Sequence, residues 1–144
     1  MAARNVVGLG ALSSEVQILC SRIPDAPVSL LNNAAVTTHL VIGFTWSSGA
    51  SNGGSPVIDY RISYDQATGT WIPLATGITT LSFTTTNPLV EGTTYKFKVE
   101  ARNIVGYSAT SAEIAILAAK LPDAPTNLLN FPLITDQTKI GLSW

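Results

Sequence analysis

From Val28 onward, apolar and polar residues alternate in short runs with a period of two, and no stretch carries a helical period. Residues 28–31 predict a first strand. Leu40, Ile42, Phe44 and Trp46 alternate with Val41, Gly43 and Thr45, a second strand with its large residues on one face. Residues 47–56, rich in Ser and Gly, read as a loop. Ile58, Tyr60, Ile62 and Tyr64 alternate with Asp59, Arg61 and Ser63 in a third strand; residues 71–74 make a short fourth, and Leu81 and Phe83 mark a fifth. In the sixth, Tyr95, Phe97, Val99 and Ala101 point one way and Thr94, Lys96, Lys98 and Glu100 point toward water. A turn is expected over 103–106, where Asn103 and Gly106 would tolerate left-handed backbone. Residues 111–117 form a seventh strand with Ile114 and Ile116 inward. Seven short strands with regularly spaced turns predict an all-β fold, a seven-stranded antiparallel sandwich of two sheets.

The chain also repeats itself. Residues 3–8, Ala-Arg-Asn-Val-Val-Gly, return at 101–106 as Ala-Arg-Asn-Ile-Val-Gly, an offset of 98. Pro24-Asp25-Ala26-Pro27 returns as Pro122-Asp123-Ala124-Pro125, and Ile42-Gly43-Phe44-Thr45-Trp46 as Ile140-Gly141-Leu142-Ser143-Trp144, both at the same offset. Residues 1–46 align with 99–144 without a gap, with 21 identities. One register held over three separate motifs is the signature of a tandem repeat. It divides the chain into the end of a preceding repeat (1–23), one complete repeat (24–121) and the start of a following one (122–144).

With the repeat in place, specific residues resemble the fibronectin type III family. That family has a proline-rich start, a Trp on its second strand, a Tyr on its third, and then Leu-x-x-Gly-x-x-Tyr-x-x-x-Val-x-Ala-x-Asn-x-x-Gly. The chain has Pro24 and Pro27, Trp46, Tyr60, then Leu89, Gly92, Tyr95, Val99, Ala101, Asn103 and Gly106. The stretch 52–57, Asn-Gly-Gly-Ser-Pro-Val, is similar to the version found in long multi-domain arrays. The resemblance implies that Trp46, Tyr60, Leu89, Tyr95 and Val99 are core residues. Trp46 would fill the space between the sheets. Tyr95 would be the corner tyrosine whose hydroxyl ties back to backbone upstream, with Gly92 easing the chain there.

Composition narrows the function. Hydrophobic residues make up 46% of the chain, enough for a packed core, while only 12% are charged, so Ser, Thr and Asn must supply the wet surface. The net charge of −1 and the scattered Lys and Arg argue against nucleic-acid binding. No apolar run reaches the roughly 18 residues of a membrane span. Residues 1–20 superficially resemble a signal peptide ending in a lipid-modified cysteine. Leu19 is too large for the position before the cleavage point, and the segment recurs downstream.

Each candidate site meets a plainer explanation. His39, the single histidine, aligns with Gln137 at a strand start and reads as a surface polar residue rather than a catalytic base. Cys20 aligns with Ala118 and reads as a small, half-buried apolar residue rather than a crosslink between chains; no disulfide within the chain can form. Asp25 and Asp123, with Glu15 and Glu113 on the preceding strands, offer too few carboxylates for calcium. No Arg-Gly-Asp tripeptide and no Asn-x-Ser/Thr acceptor occurs. Thr79-Thr80 and Thr84-Thr85-Thr86 could carry O-linked glycan, though Thr is also a good solvent-face strand residue. Lys96 and Lys98, alternating with Thr94 and Glu100, read as an ordinary wet sheet face.

No catalytic, cofactor or metal site is therefore expected, and the junction prolines carry the functional signal. Pro24, Pro27, Pro122 and Pro125 stiffen short linkers, so successive sandwiches should stack as a semi-rigid rod. The expected partners are neighbouring repeats of the same polypeptide and like chains in a fibre. The first expectation is a structural or adhesive array at the cell surface or outside the cell. The second is a cytoplasmic scaffold of the long muscle-type arrays, which the stretch 53–56 suits. The third is a spacer in a secreted carbohydrate-active enzyme.

Overall fold

In the computed structural model, which describes residues 1–120 and 122–143, the central period folds into two antiparallel sheets. The strands are β1 (Val28–Asn32), β2 (Gly43–Ser47), β3 (Asp59–Tyr64), β4 (Ile72–Ile78), β5 (Ser82–Thr84), β6 (Thr94–Arg102) and β7 (Ile114–Leu117). One sheet runs β1-β2-β5 and the other β4-β3-β6-β7. No helix occurs among the described residues.

The inward face of each sheet comes from the two-residue period. Ile42, Phe44 and Trp46 on one side meet Tyr60, Ile62, Tyr95, Phe97, Val99 and Ala101 on the other, and all are buried. The Phe44 and Phe97 rings approach to 4.9 Å, and Trp46 meets Tyr60 edge to face at 5.4 Å. These contacts across the layer make one continuous core.

The structure departs from the expected pattern at the strand ends. Leu40 and Ile58 are exposed, the one three residues before β2 and the other one residue before β3. Leu81 is likewise exposed one residue before β5. β4 continues to Ile78, past the expected end at Leu74. Its register against β3 shifts twice, so Pro73 and Gly77 are absorbed by irregular edge pairing. Glu100, expected in water, is buried; Arg61 on β3 lies directly opposite and covers it.

The flanks repeat the geometry of the central period. β8 (Leu129–Asn130) pairs with β9 (Leu142–Ser143) through Leu129↔Ser143 and Asn130↔Leu142. Shifted back by 98, these are Leu31↔Thr45 and Asn32↔Phe44 of the β1–β2 pair. Ser29 and Asn127, also 98 apart, both take left-handed backbone, φ 55° and 57°. The bridge Arg4↔Leu9 matches Arg102↔Tyr107. Residues 1–23 form no strand, since the counterpart of the first half of β6 is not among them. For the same reason Cys20 is exposed here and not half-buried, although its counterpart Ala118 is fully buried. Leu121, and Trp144 with its expected place in the repeat, lie outside the described residues.

Candidate functional site: the linker saddle

The site that sequence and structure build together is the seat of the linker running into the central sandwich. Pro24 and Pro27 carry no N–H and hold φ near −65°, so the linker has few donors to place. Two that remain are placed on one loop. Arg22 N donates to Gly53 O (2.8 Å) and Asp25 N to Ser51 O (2.9 Å), both in the loop between β2 and β3. Both prolines are buried.

The receiving loop is glycine-rich for a steric reason. A Cβ on Gly53 would overlap the Arg22 carbonyl oxygen, and one on Gly49 would overlap the carbonyls of Asp25 and Ala26. Gly53 also sits at φ 75°, where only glycine is unstrained. The saddle is thus a place where one backbone lies directly on another.

Asn103 locks it from the side. Only 2% of the residue is exposed. Its Nδ2 donates to Arg22 O (2.7 Å) and Asn52 O (2.9 Å); its Oδ1 accepts from Val105 N (2.9 Å) and Gly106 N (3.2 Å). Both amide protons and both lone pairs are used, and one side chain ties together the linker, the β2–β3 loop and the β6–β7 turn. Of the two turn residues that tolerate positive φ, Gly106 uses it, at φ 153°, and Asn103 does not. At the saddle's rim the Arg22 guanidinium donates to Asp25 (2.8 Å), and this hydrogen bond holds the Asp25 carboxyl below its ordinary range. The pair recurs 98 residues on as Lys120–Asp123 at 3.1 Å. There Pro122 and Pro125 are exposed.

The other residues singled out by sequence lie apart from the saddle. Trp46, Tyr60 and Val99 are in the core, and Leu89 packs half-buried against it. The Tyr60 hydroxyl meets Ser48 Oγ at 2.9 Å, and Tyr95 Oη accepts from Val90 N at 3.0 Å. Gly92, beside that corner, has φ 75°. His39 is half-buried in the turn before β2. Thr85 is buried and accepts from Ile42 N, whereas Thr79, Thr80, Thr84 and Thr86 are exposed.

Sequence reasoning missed a ladder of charges on the outer face of the larger sheet. Arg61 grips Glu100 with two hydrogen bonds of 2.7 Å, and Arg102 grips Asp59 in the same two-pronged way. The Tyr107 ring lies 4.1 Å from the Arg61 guanidinium carbon and 5.4 Å from that of Arg102. Lys98 covers Trp71 at 4.0 Å and Lys96 pairs with Glu113 at 2.9 Å. Each cation here is matched to a carboxylate or a ring within the domain, so the face is stiffened from inside. No signal in the sequence could have found this ladder, since the Arg61↔Glu100 pairing is set by the register of two strands far apart in the chain.

Comparison with known proteins agrees with this architecture. The sequence model for the fibronectin type III domain matches residues 26–116. Domains A168–A170 of titin superpose with a TM-score of 0.62 at 24% identity, covering 69% of this chain and 34% of that one. The twitchin kinase region from C. elegans superposes with a TM-score of 0.62 at 23% identity, over 83% of this chain and 20% of that one. The fibronectin type III domain of human fibronectin type III domain containing protein 3 gives 0.59 at 26% identity, over 72% and 91%. The chain spans about a third or less of the titin and twitchin chains it matches.

Proposed function

The chain belongs to the fibronectin type III family, and from that membership we propose that it is a non-catalytic structural and adhesive module of a longer tandem-repeat protein. The repeats stack as a semi-rigid rod at the cell surface or outside the cell. The observation that carries the reading is the 98-residue period, present in the sequence on both flanks and matched in the pairing of β8 with β9. The saddle gives it a mechanism. A linker hydrogen-bonded along a glycine loop and held by a buried asparagine moves with the domain it enters, so consecutive sandwiches keep a narrow range of angles.

A second reading, an intracellular scaffold array, is supported by the presence of titin and twitchin among the similar structures. The complete transcript and the site of a tagged full-length protein separate the two. Further repeats in the 98-residue register are expected. A secretion signal with surface labelling of unpermeabilised cells favours the first reading; immunoglobulin or kinase neighbours with an internal location favour the second. A transcript ending close to residues 1–144, with no further repeat, would overturn both.

A further inference from the structure

Both ends of the central sandwich carry exposed apolar side chains that the domain leaves uncovered. At the N-terminal pole, Ile104 and Val105 stand on the β6–β7 turn, 71% and 48% exposed, and the linker residue Ile23 lies against Gly106 of the same turn. The preceding repeat has Val6 and Val7 at the same two positions. At the C-terminal pole, Leu40 and Val90 are 47% and 67% exposed. They belong to one patch: Leu89 N donates to Leu40 O (3.0 Å), and Gly92 N donates to Ala118 O (2.8 Å), where β7 runs out toward the next linker.

Chain length brings the two poles together. Ala118 is fully buried at the C-terminal pole. Pro24 is buried at the N-terminal pole, and its counterpart one period on is Pro122. Residue 122 is four positions beyond 118, so the buried anchor points of consecutive repeats lie no more than about 14 Å apart. Side chains projecting from both loops then fill the gap, and apolar ones gain by leaving water together.

We propose that Ile104 and Val105 of each such repeat dock on Leu40 and Val90 of the repeat before it, an apolar contact that couples the stability of neighbours. The contact rests on the tandem reading above. Its partner is a second copy of the same fold.

The test uses the full chain with residues 24–121 duplicated in line, so that one complete repeat follows another in register. This chain should melt about 2–4 °C above the 144-residue chain. Ile104→Ser with Val105→Ser in the downstream copy should abolish that shift. Leu40→Ser with Val90→Ser in the upstream copy should do the same, and both sets together should cost no more than either. In the 144-residue chain the same substitutions should leave the midpoint unchanged. Equal midpoints for duplicated and single chains, or losses that simply add, would overturn the contact. Small-angle scattering separates this from the broader reading. Two domains held in line without coupling leave the rod standing and remove the apolar contact; a broad spread of inter-domain distances removes both.

Discussion

Asn103 spends all four of its amide hydrogen bonds, and three chain segments depend on them. Asn103→Ala should destabilise the domain by about 2–3 kcal/mol, from several lost bonds of about 0.5–1.5 kcal/mol each. Hydrogen exchange tests the mechanism: the amides of Arg22 and Asp25 should lose protection while those of β6 keep theirs. Trp46→Ala acts through volume instead. It empties the centre of the core and should cost about 3–5 kcal/mol in chemical denaturation, with linker protection lost only on global unfolding. Asp25 supplies a pH signature. Its carboxyl is held low by Arg22, so the pairing is complete above the ordinary Asp value and is lost as pH falls through the lower, folded one. Titration followed by the Asp25 carboxyl carbon shift should give a midpoint below about 3.9, and Arg22→Gln should return it to that value.

At the scale of elements, the β2–β3 loop and β4 offer a controlled comparison. Gly53 and Gly77 have nearly the same φ, 75° and 73°, but a Cβ on Gly77 meets nothing within 4 Å. Gly77→Ala should cost only the left-handed penalty, about 1–2 kcal/mol. Gly53→Ala adds a clash with the linker backbone and should cost at least twice as much, measured by the same denaturation curves. The difference between these two glycines was not readable from sequence, since it depends on a linker some thirty residues away in the chain. What could be read was local. The alternation of Ile42, Phe44 and Trp46, and of Tyr95, Phe97 and Val99, is a property of each strand alone, and it placed the core. Leu40 and Ile58 continue that alternation beyond the ends of β2 and β3, so their exposure was hidden. Asn103 was visible as a turn residue, but its partner Arg22 lies 81 residues away. Buried Glu100 was equally opaque, because its cover comes from the opposite strand.

For the whole molecule, the saddle moves the working boundary of the domain upstream of its first strand. β1 starts at Val28, and the family match at residue 26. Yet the backbone is already on the domain at Arg22, and the Cys20 carbonyl lies 3.2 Å from where a Cβ on Gly54 would be. The backbone hydrogen bonds of residues 1–19 run only among themselves. Removing 1–19 should therefore leave the melting midpoint unchanged within about 1–2 °C. Removing 1–26 deletes the Arg22 and Asp25 bonds, leaves Asn103 Nδ2 short of one acceptor and uncovers the face that Pro24 sealed. At about 0.5–1.5 kcal/mol for each of three bonds, the midpoint should fall by about 6 °C or more. A steady decline across both truncations would mean that the linker is an ordinary tether. A sharp drop confined to the second means that the linker is structurally part of the sandwich it enters. In an array built this way, a pull on the chain reaches the hydrogen bonds of the saddle before it reaches the paired strands.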